Sequence, residues 1–168
     1  MTNDQYALLF SVRRSVRYHD RRRAFFERLH RLTSVLTVLM AGSVLFEIGR
    51  SGETSGWLMG VAVMAAILAA VDMVVGYASR TNQHRGLKER FVELEMAMLK
   101  GDDSPEVWTE HRLARLKIER DEPPIYRALD LLCHNELLRA EGGNTANLVV
   151  LTDVQRWTRH IFHWPDIE

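Results

Sequence analysis

The 168-residue sequence has one cysteine, Cys133, only four prolines and no surplus of either charge. A lone thiol excludes a disulfide within the chain and leaves no cysteine pair for a structural zinc site. With 22 basic residues against 22 acidic ones, the surface is not globally basic, and no nucleic-acid partner is expected. The short basic start of a secretory signal is missing too: the first apolar run begins behind a long arginine-rich segment, so it is read as mature structure.

Mean hydropathy, −0.17, conceals two apolar blocks. Leu32 to Phe46 reads LTSVLTVLMAGSVLF, and with Glu47, Ile48 and Gly49 it spans 18 residues, near the lower limit of about 17 for a bilayer crossing. Ser55 to Ala78 adds 24 residues interrupted only by Asp72, enough to cross with tilt. The link between them, Arg50 to Thr54 with Gly52 inside it, is so short that the two helices must lie antiparallel. A soluble rival, a buried helical pair, would require so small a domain to enclose 24 nearly uncharged residues with narrow apolar stripes.

Charge sets the orientation. Residues 1–31 carry eight arginines against Asp4, Asp20 and Glu27, and Arg80, Arg85, Lys88 and Arg90 follow the second block. The link has only Arg50, flanked by Glu47 and Glu53. The positive-inside rule therefore places both termini in the cytoplasm. Trp57 and Tyr77 bracket the second crossing as interfacial anchors, with Arg31 and Arg80 at the inner face. Arg21, Arg22 and Arg23 read either as anionic-lipid contacts or as plain topology control.

The expected fold is an all-α membrane protein: a two-helix transmembrane hairpin at 32–78, continuous with a basic cytoplasmic helix at 1–31 and a cytoplasmic helical domain at 79–168. Gln5 to Arg31 has no proline or glycine and should run into the first crossing as one helix, with Leu9, Val12 and Val16 on its apolar face. Leu87, Phe91, Leu94 and Met98 mark a helix continuing the second crossing to about Gly101. Ser104 and Pro105 open a helix carrying Trp108, Leu113 and Leu116. Pro123 and Pro124 end it, and Tyr126, Leu129, Cys133 and Leu137 form the core stripe of the next, which stops at Gly142 and Gly143. A last helix is expected over Leu148 to His163, with Trp157 on its core face and Pro165 beyond it.

Two carboxylates in the crossings are the candidate functional residues. Asp72 sits about six residues inside the inner end of the second crossing and Glu47 near the outer end of the first. An ionised group in lipid is costly and normally faces a bundle interior or water. Two helices alone offer little interior, so Asp72 is expected to face a symmetry axis or another subunit. Gly60, Ala62, Ala66, Ala70 and Gly76 provide small-residue rows for close helix contact, within one hairpin or between subunits.

No catalytic, metal or cofactor site is expected. The seven histidines form no set with zinc-ligand spacing, Cys133 lies in an apolar stripe, and Gly142, Gly143 and Asn144 lack the strand, helix and lysine of a phosphate loop. Asp102 and Asp103 read as loop residues. Arg14 with His19, and Arg156 with His160, match a loose ribonuclease spacing that solvated helix faces explain better.

The order of parts, with Glu122, Pro123, Pro124, Ile125 and Tyr126 followed by Leu129, Asp130, Cys133, His134, Asn135 and Glu136, resembles the SLATT families over roughly residues 8–163. These are two-transmembrane effector domains of bacterial conflict systems. The resemblance implies an oligomeric inner-membrane effector that perturbs the bilayer or forms a pore in an anti-phage response, with a separate sensor protein or nucleotide signal as trigger. A non-enzymatic membrane scaffold recruiting a cytoplasmic partner is the alternative.

Overall fold

A computed structural model describes residues 1–51, 55–102 and 104–164, so Gly52, Glu53, Thr54, Asp103 and Pro165 of the expectations above lie outside the described residues. Six α-helices and one short 3-10 turn account for the regular structure among them, with no strand: α1 Asn3–Ser51, α2 Gly56–Val75, α3 Tyr77–Lys100, α4 Pro105–Glu119, α5 Arg127–Ala140, the 3-10 turn Thr145–Asn147 and α6 Asp153–Thr158. Two of these stretches are long and apolar enough to cross a membrane, and only 6% and 11% of their most apolar windows are buried. A core helix of a soluble domain would be mostly covered.

The chain forms two compact units, one of Met1–Arg22 with Gln83–Glu168 and one of Arg23–Asn82. Residues 23–31 group with the apolar helices because their side chains touch them: Phe26 stacks on Tyr77 with 6.4 Å between ring centroids, and His30 meets Asp72.

Capping explains where the helices begin. Thr2 and Gln5 form a reciprocal box at the start of α1, the Gln5 N–H donating to the Thr2 hydroxyl and the Thr2 N–H to Gln5 Oε1. Ser55 and Ser104 accept from Leu58 and Val107 N–H to start α2 and α4, and Pro105 takes the first position of α4, where its missing N–H costs nothing. The expected continuation of the second apolar helix into a single cytoplasmic helix is corrected at one residue. Gly76 adopts φ +64°, ψ 51°, a left-handed conformation that ends α2 before α3 starts.

The core of the first unit gathers Leu8, Leu9 and Val12 of α1, Leu87, Phe91, Leu94 and Met98 of α3, and Trp108 and Ile118 of α4. Leu113 and Leu116 of α4 face outward. On α5, Leu129 and Cys133 pack with Tyr18, Leu137 is buried, and Tyr126 is partly buried against the same cluster. The N-cap of α5 is Tyr126, which makes no side-chain capping bond. The Tyr126 N–H instead donates to the Tyr18 hydroxyl at 3.0 Å, and burial pushes that phenol up to about 12.

The end of the chain departs most from expectation. The last helix covers only Asp153–Thr158, and Trp157, expected in the core, is 86% exposed. Thr152 and Gln155 form a capping box that fixes the helix start after Leu151 has already turned inward. Leu151 and Trp164 pack against Ala128 and Leu131 of α5, and Asn135 holds the Val149 backbone by two hydrogen bonds of 2.7 and 2.9 Å. Those anchors set which face of the segment turns inward, and Trp157 is on the other.

Candidate functional site

In the unit Arg23–Asn82, α2 brings Asp72 to the surface it shares with the lower part of α1. His30 Nδ1 lies 3.0 Å from Asp72 Oδ2 and 3.3 Å from Oδ1. Their side chains are 43% and 24% exposed. Asp72 thus has a polar partner in its own chain. With His30 protonated the contact is an ion pair; with His30 neutral it is one N–H donating to a carboxylate. Either state satisfies the acid without a second subunit.

Around this pair the break at Gly76 is tied off. Arg80 Nε donates to the Val75 carbonyl at 3.0 Å and its guanidinium lies 5.7 Å from the centre of the Phe26 ring, while Phe26 stacks on Tyr77. Thr33 and Thr81 return their hydroxyls to the preceding turns of α1 and α3. Arg31 pairs with Glu27, which also accepts from Arg23. The result is a polar and aromatic collar around His30 and Asp72.

At the far end of the same unit, Glu47 pairs with Arg50 at 3.1 Å. A cleft of about 850 Å³ opens there, lined by Val38, Leu39, Gly42, Phe46, Glu47 and Trp57 among others. Trp57 is exposed, as an interfacial anchor would be. Of the small residues, Ala65 faces inward, whereas Gly60, Ala66 and Ala70 are exposed and Ala62 and Gly76 half-buried.

The first unit shows why the basic segment is not a free polycation. Arg13 bonds Glu95 and Glu141, each at 2.8 Å, and Arg21 bonds Glu136 at 2.5 Å. Arg14 Nε lies 3.1 Å from Asp130 Oδ1, within ion-pair range although its N–H is not aligned for a hydrogen bond. Arg22 is 4% exposed; it donates to the His160 carbonyl at 2.7 Å and covers the Tyr126 ring at 4.3 Å. The reading of Arg22 as a lipid contact is therefore corrected: its guanidinium is spent inside the protein.

His19, expected on a solvated face, is fully buried instead. Its Nε2 lies 3.0 Å from Glu122 Oε1, its Nδ1 lies 2.9 Å from His84 Nδ1, and Phe91 stacks on its ring at 5.6 Å. This is a buried relay of one carboxylate and two imidazoles, not an exposed Arg–His site. A second cleft, about 320 Å³, is lined by Tyr6, Phe10, Arg14, His134, Leu138 and Asn147, with His134 edge-on to Phe10 at 5.2 Å. Burial lowers the His134 pKa, so its imidazole is neutral there near neutral pH. Among the described residues no group of three or more His, Cys, Asp and Glu is placed to hold a metal ion. Burial pushes the Cys133 thiol up to about 12, which suppresses its thiolate.

Comparison with protein-family models, curated proteins and solved structures returns no match. Function has to be argued from the geometry.

Sequence reasoning missed His30 and the relay. The first was only half legible: if two helices fold back about residues 50–54, Asp72 comes level with residues near 32, where His30 and Arg31 are both candidates, and the fold decides for His30 by giving Arg31 to Glu27. The relay had no such signal, because His19, His84 and Glu122 lie far apart in sequence.

Proposed function

We propose that this chain is an oligomeric effector of the bacterial inner membrane, a two-helix transmembrane hairpin with both termini cytoplasmic, that perturbs the bilayer or opens a pore in a conflict response. The observation that carries it is the bareness of the two apolar stretches, with 6% and 11% of their windows buried. So much uncovered apolar surface has to be matched by lipid and by other copies of the chain. The contacts of Phe26 with Tyr77 and of His30 with Asp72 favour the antiparallel pairing of the two crossings.

The exposure of Gly60, Ala66 and Ala70 favours the intersubunit role of the small-residue row, since Ala65 is the small residue buried within the chain. The resemblance to the SLATT families supplies the conflict setting, and a separate sensor protein or a nucleotide signal is the trigger that setting implies. Asp72 then belongs to a latch: closed on His30 in the resting state, released to water when subunits rearrange.

Ion flux through liposomes carrying the purified protein tests this. Leakage should appear with the full chain and change when Asp72→Asn or His30→Ala removes the latch. Unchanged conductance in both variants would reject the role of the pair. Specific partner binding with no leakage under any condition would replace the effector reading by a scaffold.

A further inference from the structure

Segment 149–164 presents an apolar face that the rest of its unit leaves open. Val154, Trp157 and Ile161 follow helical spacing across α6 and the turn after it, and they are 60%, 86% and 63% exposed. The spacing holds past Thr158 because the Ile161 and Phe162 N–H groups both return to the Thr158 carbonyl. This is no frayed end. Leu151 and Trp164 are anchored on either side, Asn135 clamps Val149, and the Trp164 indole donates to the Thr158 hydroxyl at 3.1 Å.

The segment carries two arginines, Arg156 and Arg159, against one carboxylate, Asp153, which is largely exposed and lies 3.8 Å from Arg156. Arg156, Trp157, Arg159 and His160 line a notch of about 230 Å³ beside the apolar face. Arg159 Nε is buried and has no acceptor among the described residues, although its Nη1 donates to the Arg156 carbonyl. Two arginines and an indole beside an aliphatic stripe match the composition of elements that lie in a membrane interface.

Location argues for the same partner. The His160 carbonyl is bonded to Arg22, and His163 lies against Tyr126 at 4.2 Å between ring centroids. Only ten residues of chain, about 15 Å if helical, separate Arg22 from Leu32, where the first apolar run begins. The segment is thus held to a stretch of chain that leads directly into the first apolar run.

We propose that residues 149–164 dock on an anionic phospholipid surface, with Val154, Trp157 and Ile161 in the boundary between headgroups and acyl chains and Arg156 and Arg159 on lipid phosphate. The docking rests on the apolar helices inserting in lipid and is independent of any leakage. It also assigns Trp157, which the core does not use, a role as interfacial anchor.

The test uses the full chain in nanodiscs holding one copy each. Cys133 is buried, so Val154→Cys gives a single reactive thiol for a bimane probe. In discs containing phosphatidylglycerol, nitroxide placed near the headgroup end of the acyl chain should quench that bimane. Each surface-bound arginine favours docking enough that Arg156→Gln with Arg159→Gln should lower the docked-to-free ratio about 30-fold. Met73→Cys carries the same probe as a control for insertion of α2. Quenching at 73 without quenching at 154 overturns the docking alone; absence of both overturns insertion itself. Equal quenching in purely zwitterionic discs, or protection seen only with two copies per disc, also overturns the proposal, the latter in favour of a second subunit.

Discussion

Replacing Arg22 separates two roles for the basic segment, and the structure supplies the size of the effect. Its charged donor reaches the His160 carbonyl at 2.7 Å and its guanidinium covers Tyr126 at 4.3 Å. A hydrogen bond from a charged group contributes about 1.5–3 kcal/mol, and a desolvated cation–π contact adds about 1–2 kcal/mol. Because Arg22 is 4% exposed, little of this is screened by solvent. Arg22→Met keeps the apolar stem and removes both terms, so about 3 kcal/mol of local stability should go, a factor of about one hundred in the opening of the segment it holds. Hydrogen exchange reads this directly: the Ile161 and Phe162 amides, which return to the Thr158 carbonyl, should lose about two orders of magnitude of protection. Arg22→Lys should fall between, since an ammonium reaches one acceptor without the planar stack. If protection there changes by less than about twofold while binding to anionic vesicles collapses, Arg22 is a lipid ligand and the packing argument is wrong.

The remaining predictions concern titration, thiol chemistry and the backbone. His134 is depressed by burial, so the folded state holds fewer protons there than the unfolded chain; its contribution is complete above about pH 6.5 and declines as the pH falls below that. At Glu141 burial works the other way, but the Tyr6 hydroxyl and Arg13 outweigh it and lower the pKa, so a second loss should begin below about pH 4.5. Thermal melts from pH 7 to pH 3 should show Tm dropping in both ranges, and a Tm that climbs on acidification would contradict the assignment. Cys133, with a thiol near 12 and no exposed surface, should resist an aromatic disulfide reagent in the folded protein and react fully in denaturant; rapid labelling when folded would place it elsewhere. Gly76→Ala forces a side chain into the left-handed region and should cost about 1–2 kcal/mol, whereas Gly76→Asn should cost less. Steric crowding is not the cause, since the nearest atom to an added Cβ is Ser79 Cβ at 3.7 Å. Equal stability of the two variants in a melt would rule out the strain.

Much of the helical layout was legible in the sequence because local chemistry decides it. The cap at Ser104 with Pro105, the stop at Pro123 and Pro124, and the stripe Leu87, Phe91, Leu94 and Met98 each rest on neighbours within a few residues. The errors came where distant contacts overrule local pattern. Trp157 looked like a core residue because a tryptophan usually is, but Leu151 and Trp164 already fill the space over Ala128 and Leu131. Gly76 sat inside an apolar run and gave no hint of a left-handed turn until the two helices were seen to end on either side of it. For the candidate site, Asp72 stood out as a lone charge, while His30 became visible only when the fold brought it alongside.

The His19–His84 contact sets a limit on charge inside the first unit. Two Nδ1 atoms 2.9 Å apart share a single hydrogen, since one must offer its lone pair to the other's N–H. While that bond stands, at most one imidazole carries a positive charge, and Glu122 on the other side of His19 can balance it. The shared hydrogen is also shut away from water by Phe91. Its replacement by deuterium would therefore be timed by the opening of that buried contact, which one downfield proton resonance would report.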